Sequence, residues 1–157
     1  MSRTTPATRA LEKAGVAFSI RSYDYDPYAS SIGLQAAEAL GEAPDRVLKT
    51  LMVLADGRPA CAILPSDREL SMKRVAAALG AKSAQMMPPA DAERLTGYKV
   101  GGISPFGQKR RVPVLLEEAA LRHELVFING GQRGLQVRLA PGDAAKLLEA
   151  LTVSVVA

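Results

Sequence analysis

VLKTLMVLADGRPACAIL, residues 47–64, holds the strongest apolar run of the chain, interrupted by Asp56-Gly57. Val47–Ala55 and Pro59–Leu64 read as strands, and the Asp-Gly pair between them is the turn chemistry of an antiparallel hairpin. Period-two alternation places Val47, Lys49, Leu51 and Val53 on one face of the first strand and Leu48, Thr50, Met52 and Leu54 on the other. Neither face looks solvated, so the strand lies inside a sheet and carries one cation there.

Outward from the hairpin, helices and strands are interspersed. On its N-terminal side, Thr5-Pro6 and Gly15 bracket a helix over residues 6–14. Val16, Phe18 and Ile20 then alternate as a half-buried strand through about Tyr23. Asp24–Ala29 is a loop, SIGLQAAEAL (residues 31–40) a helix closed by Gly41, and Pro44-Asp45 a turn. On its C-terminal side, Ser71 caps a helix over residues 72–79 and Pro88–Leu95 forms a short one. Strands follow at Val112–Leu116, Leu125–Asn129 and Leu135–Leu139, then a helix over Asp143–Ala150 and the β-branched tail TVSVV. Several gaps between strands are too short for crossover helices, which favours a mixed, largely antiparallel sheet over a doubly wound parallel one. The fold class is therefore α+β. Residues 1–157 read as a single domain, with no repeat or linker to divide them.

Composition narrows the chemistry. Cys61 is the only cysteine and His123 the only histidine, which excludes an intrachain disulfide and a Cys/His zinc cluster. Any Ser-His-Asp or Cys-His machine would depend on His123, whose neighbours contain no nucleophile motif. Cys61, in ACAIL, reads as packed core, and His123, between Arg122 and Glu124, as an exposed loop residue. The opening MSRTTPATRALEKAG mixes charged and apolar residues within a few positions, unlike a signal peptide or a spanning helix, so the expected location is the cytoplasm, with no membrane partner. A net charge of +4 is compatible with a polyanionic partner but does not require one.

Three features can carry chemistry. Lys49 must reach water, meet an anion or shift its protonation, because an unpaired buried charge costs several kcal/mol. Periodicity leaves open whether it snorkels to solvent or faces an anionic group in a cleft. Gly101-Gly102-Ile103-Ser104-Pro105 combines glycine freedom with a fixed turn; it can present backbone N–H groups to a carbonyl or phosphate oxygen, and it can equally be an ordinary tight turn. It is neither a dinucleotide fingerprint nor a P-loop. Lys109-Arg110-Arg111 can contact phosphates in a salt-sensitive, sequence-blind way, although such runs are commonly solvated surface. With few aromatics and no Trp, stacking of bases on an exposed platform is not expected to be the main mode of RNA recognition.

Taken in order, SYDYDP, VLKTL, RVAAALGAK, TGYKVGGISPFGQKRRVPV and NGGQRGLQVRLAPGD resemble the YbaK-type Cys-tRNA(Pro) deacylases, within the wider bacterial prolyl-tRNA synthetase editing-domain superfamily. The resemblance runs from about residue 6 to residue 150, and TGYKVGGISPFGQKRR is its most specific block. It implies one α+β domain with a mixed, partly barrel-like sheet flanked by helices. It implies further that Lys49 matches the family's essential lysine, that Gly101 to Pro105 match the loop holding the aminoacyl end, and that Tyr23 matches a pocket tyrosine, with Thr50 following the lysine as in the family. Two positions depart from the pattern: Asn129 and Gln136 stand where the best-known members carry serine and aspartate. Both can still hydrogen-bond, but Gln136 removes a negative charge that could engage the substrate's amino group.

The mechanism implied by this resemblance needs no enzyme nucleophile. The thiol of the esterified cysteine attacks its own carbonyl and leaves as a cyclic thiolactone, while the protein supplies proximity. Lys49 would meet the 3′-terminal adenosine or its phosphate, N–H groups near Gly101 and Gly102 the ester carbonyl, and Lys109, Arg110 and Arg111 the tRNA backbone. The expected partners are the acceptor end of mischarged tRNA(Pro) and prolyl-tRNA synthetase, the latter supplying tRNA selectivity; no DNA, metal or organic cofactor is expected. Two rivals stand beside this reading: an alanine- or serine/threonine-directed deacylase that positions a water, and a non-catalytic module binding tRNA or a synthetase.

Overall fold

The computed structural model describes residues 4–157, the side chains of residues 32 and 33 excepted. The first three residues of the segment read against a signal peptide lie outside the described residues. In chain order the elements are α1 (Pro6–Lys13), β1 (Ser19–Ser22), α2 (Ile32–Leu40), β2 (Leu48–Ala55), β3 (Arg58–Pro65), α3 (Met72–Ala78), β4 (Ala84–Met86), α4 (Pro89–Thr96), β5 (Val114–Glu117), β6 (Val126–Asn129), β7 (Leu135–Leu139), α5 (Pro141–Leu148) and β8 (Leu151–Val153), with 3-10 turns at Pro44–Arg46 and Glu118–Arg122.

The hairpin forms in the register that the sequence implies. β2 and β3 pair antiparallel from Leu48 opposite Pro65 to Ala55 opposite Arg58, and Asp56 and Gly57 both take positive φ, as a tight two-residue hairpin turn requires. Around it lies a five-stranded sheet in the order β4-β2-β3-β5-β8. The β3–β5 and β5–β8 pairs are parallel, so this sheet is mixed. β4 was not foreseen. Its three residues carry no period of their own; the Asp56 carboxylate accepts the Lys82 and Ser83 N–H groups and so lays the segment along the edge of β2.

A second, antiparallel sheet has the order β1-β7-β6. Only residues 19–22 of the first predicted strand join it, because only there does β7 supply ladder partners. One parallel bridge, Val47 with Phe127, links the two sheets. The architecture is α+β, with one mixed sheet, one antiparallel sheet and no closed barrel among the described residues.

Both faces of β2 are covered, as its alternation demands. Leu48 and Met52 pack with Cys61, Ile63, Phe106 and Ile128 in the larger core. Val53 packs with Leu64, Val75 of α3 and Leu115 in a second core. Ala36, Ala37 and Leu40 of α2 cover Val47 and Phe127 in a third. Cys61 is fully buried, and burial pushes its thiol up to about 12, so it remains a protonated packing residue. His123 is a correction: its side chain is only 19% exposed and its Nε2 lies 3.6 Å from the Asp45 carboxylate, because the turn at Pro44–Arg46 packs beside it. No helix among the described residues is long and apolar enough to cross a membrane.

Candidate functional site

β2 is bonded to β3 along its whole length, but its other edge has neighbours only at the ends. Val47 bridges to Phe127, and from Met52 onward the edge is taken up by Met87 and β4. Met52 C=O accepts the Met87 N–H at 3.0 Å on that side, and the alternation of an antiparallel ladder turns the Thr50 peptide the same way. The interruption opens a cavity of about 430 Å³ between the two sheets.

Residues far apart in the chain converge on this cavity. β2 brings Lys49 and Thr50, the segment after β1 brings Tyr23, the cross-strand pair of β6 and β7 brings Asn129 and Gln136, and the glycine loop brings Gly101 and Ile103. Met52, Met86, Met87 and Ala92 supply an apolar wall. The Thr50 hydroxyl and Gln136 Oε1 are buried without a hydrogen-bond partner. Buried polar atoms are normally satisfied, so two orphans on one cavity mark a place that a ligand completes. The lining contains no histidine, cysteine or carboxylate. Among the described residues no group of three or more His, Cys, Asp or Glu side chains could hold a metal ion.

Lys49 is half-buried and makes no ion pair or hydrogen bond to the described residues. Burial lowers its pKa, with Glu69 and Asp67 pulling weakly the other way. Such an ammonium is partly desolvated, with two carboxylates nearby but no direct ion pair. Burial raises the Tyr23 pKa, opposed in part by the adjacent Gln136 amide, so Tyr23 remains a neutral phenol.

The glycine loop is held from outside and leaves selected donors unused. Val100 N–H donates to Glu93 at 2.9 Å and Gly102 N–H to Lys99 C=O at 2.8 Å. The N–H groups of Gly101 and Ile103 have no partner among the described residues. Asn129 donates through Nδ2 to Gly101 C=O at 3.1 Å and accepts the Gly131 N–H at 2.7 Å; Arg133 Nε donates to Val100 C=O at 2.9 Å. Gly101 has φ +90°, and a Cβ there would stand 2.6 Å from the Tyr25 hydroxyl. No other residue fits that position without displacing the ring.

The remaining expected site residues lie elsewhere. Gly102 is buried outside the cavity lining, and its N–H is committed to the turn. Ser104 is fully buried, its hydroxyl accepting the Phe106 N–H, and Pro105 lines a separate pocket with Phe106 and Leu147. Lys109, Arg110 and Arg111 are exposed and outside the cavity; Arg111 faces Glu149 at 3.4 Å. Ser30, Ser31, Met86 and Met87 line the cavity without having been singled out in sequence. Ser31, read as the first residue of a helix, is instead its N-cap, accepting the Leu34 N–H; Met86 ends β4, a strand with no periodic signal, and Met87 follows it.

A sequence profile of the aminoacyl-tRNA editing domain matches residues 27–147. EbsC of Enterococcus faecalis, described as a proposed Cys-tRNA(Pro)/Cys-tRNA(Cys) deacylase, is 34% identical over 139 residues, which are 87% of this chain and 84% of that protein. A proline--tRNA ligase of Acidithiobacillus ferrooxidans is 34% identical over 87 residues, 55% of this chain but 15% of the ligase, so the likeness covers a small part of the synthetase. A solved structure described as that of a proposed trans-editing enzyme for prolyl tRNA synthetase superposes with a TM-score of 0.81 at 22% identity, covering 99% of both chains. That likeness concerns the fold.

Proposed function

The chain belongs to the aminoacyl-tRNA editing-domain family, and from that premise we propose that it clears cysteine from mischarged Cys-tRNA(Pro) by letting the cysteinyl thiol attack its own ester. It is an aminoacyl-tRNA deacylase. The observation that carries the finer reading is the lining of the cavity, which offers a cation, neutral hydrogen-bonding groups and an apolar wall but no histidine, cysteine or carboxylate to act as nucleophile or general base. A substrate that carries its own nucleophile needs none.

In this reaction the cysteinyl sulfur forms a bond to the carbonyl carbon, the ester C–O bond breaks, and the thiol proton passes to the departing ribose oxygen. The products are free tRNA and a thiolactone. Lys49 meets the anionic phosphate of the terminal nucleotide. The unused N–H groups of Gly101 and Ile103 receive the carbonyl oxygen as charge develops on it, a role that Gly102, with its N–H committed to Lys99, does not share. Asn129 holds the Gly101 peptide by its C=O, and Tyr23, Thr50 and Gln136 receive the amino-acid end. The methionine wall accommodates a small, soft thiol.

The orphaned oxygens of Thr50 and Gln136 favour one rival. A hydroxyl and an amide oxygen left unpartnered in one cavity can hold a water, which would attack an alanyl or seryl ester. Deacylation of Cys-, Ser- and Ala-charged tRNA(Pro) by the purified protein separates the two. Release of cysteine as thiolactone, with the seryl ester cleaved far more slowly, supports thiol assistance; equal rates for cysteine and serine would overturn it. On this reading the reaction occurs in the cytoplasm, where charged tRNA is found, and selectivity for tRNA(Pro) comes from association with prolyl-tRNA synthetase.

A further inference from the structure

We propose that Tyr28 is a stacking platform for the terminal nucleobase of the RNA, standing at the mouth of the Lys49 cavity. The inference rests on the deacylase reading for the identity of the ligand and adds where its base goes.

The aromatic inventory sets the case. Of seven aromatic residues, Tyr98, Phe106 and Phe127 are buried and Phe18, Tyr23 and Tyr25 half-buried; Tyr28 alone is exposed, at 93%. It directly precedes Ala29, Ser30 and Ser31, all of which line the cavity. The turn that presents it is braced. The Asp26 carboxylate accepts the Tyr28 N–H at 2.9 Å, and Gln35 of α2 grips Asp26 twice, accepting its N–H at 2.6 Å and donating to its C=O at 2.9 Å.

The ring also has apolar company. Five large hydrophobic side chains are exposed on the described surface: Tyr28, Leu34, Met86, Leu121 and Leu151. Met86 lines the cavity, and Leu34 sits in the first turn of α2, capped by the cavity residue Ser31. One of the five thus lines the cavity, and two more, Tyr28 and Leu34, each stand three residues from its lining residue Ser31. Scattered singly such residues need no explanation, but gathered around a cavity they mark a binding rim. A nucleobase offers the π-face that this rim lacks, and Lys49 inside the cavity suits the phosphate that accompanies the base. The small number of aromatics argued against stacking when the sequence was read as a list; the position of the one exposed ring reverses that argument.

The test places 2-aminopurine at the 3′-terminal position of uncharged tRNA(Pro) and compares wild type with Tyr28→Leu and Tyr28→Phe. Binding quenches the base in the wild type and the phenylalanine variant but not in the leucine variant, and kcat/KM for Cys-tRNA(Pro) falls about tenfold in the leucine variant while the phenylalanine variant stays within about twofold. Undiminished quenching and cleavage in Tyr28→Leu would overturn the proposal. So would intact quenching combined with a loss of activity seen only when prolyl-tRNA synthetase is present, because the ring would then face a protein. Ring-dependent quenching in a wild type that cleaves no mischarged tRNA would sustain the platform and overturn the deacylase reading instead.

Discussion

Along β2, residues 53–55 are zipped between β3 and β4, with Val53 fully buried, whereas residues 48–51 keep β3 on one edge and a cavity on the other. Both halves alternate with the same period and both are apolar on two faces. The first half differs in one respect: the second sheet leaves β2 after Val47, and β4 arrives only at Met52 and beyond. A strand with both edges paired is core. The same strand with an edge left open becomes a site, and it is in that half that the sequence places a lysine and a threonine.

The comparison breaks most visibly if the cation is moved from one half to the other. Lys49→Ala should lower kcat/KM for deacylation by about 100-fold or more, the scale of losing a preorganised electrostatic partner, with the thermal midpoint little changed because Lys49 pairs with nothing in the fold. Val53→Lys should instead destabilise the protein by about 3–5 kcal/mol, since its ammonium would be buried between paired strands without a counter-charge. A urea titration showing Lys49→Ala to be the less stable of the two would reverse the assignment of the halves.

Gly101→Ala tests the loop that closes the open half. The added Cβ meets the Tyr25 hydroxyl at a backbone angle that disfavours any side chain, so about 1–3 kcal/mol of stability and most activity should be lost. Gly142→Ala, with open space around its position, serves as the control and should change neither measurement.

A pH profile sharpens the comparison further. Burial lowers the Lys49 pKa, so the neutral form is reached on the acid side of the ordinary lysine value of 10.5, and activity should fall with rising pH through that lowered value. Tyr23 is raised and would titrate later, so the first alkaline limb belongs to the lysine. Stability carries the opposite sign: between the lowered folded value and 10.5 the unfolded chain binds more protons, so this group's contribution improves as pH rises. It is small because the side chain keeps contact with solvent. The limb should be absent in any Lys49→Arg protein that retains activity; a limb that persists there would assign it to another group.

The smallest effect is expected at the exposed basic run. Arg110→Ala should reduce kcat/KM by about two- to threefold at low salt and leave it unchanged at high salt, as for one screened phosphate contact. A loss that survives high salt would place Arg110 closer to the reacting end than its position outside the cavity indicates.

Much of this was legible in the chain. The Asp56-Gly57 turn, the Thr5 and Ser71 caps and the alternation of β2 each obey rules that act within a few residues, and each stands where those rules put it. β4 escaped because its pairing is imposed by Asp56, about 28 residues upstream of its first residue. Among the site residues, Lys49 announced itself as a charge in an apolar strand, and the glycine loop as a turn with spare donors. Which donors are spare was not legible: Gly102 N–H closes the turn onto Lys99 while those of Gly101 and Ile103 do not, and only the folded backbone distinguishes alternate peptides. His123 read as exposed because nothing beside it in sequence reveals that Asp45 and its turn will pack against it.

The sequence by itself determined most of the elements, a single histidine and a single cysteine, and a lysine that had to find either solvent or an anion, because periodicity, capping and residue inventory are local or compositional quantities. The tertiary structure alone decided that β2 would be left half-paired between two sheets, that Thr50 and Gln136 would line one cavity without partners, and that Tyr28 alone of the aromatic rings would be exposed. Those outcomes depend on where one sheet stops and another begins, and strand ends are fixed by contacts between segments that can lie more than a hundred residues apart rather than by the residues at the ends themselves.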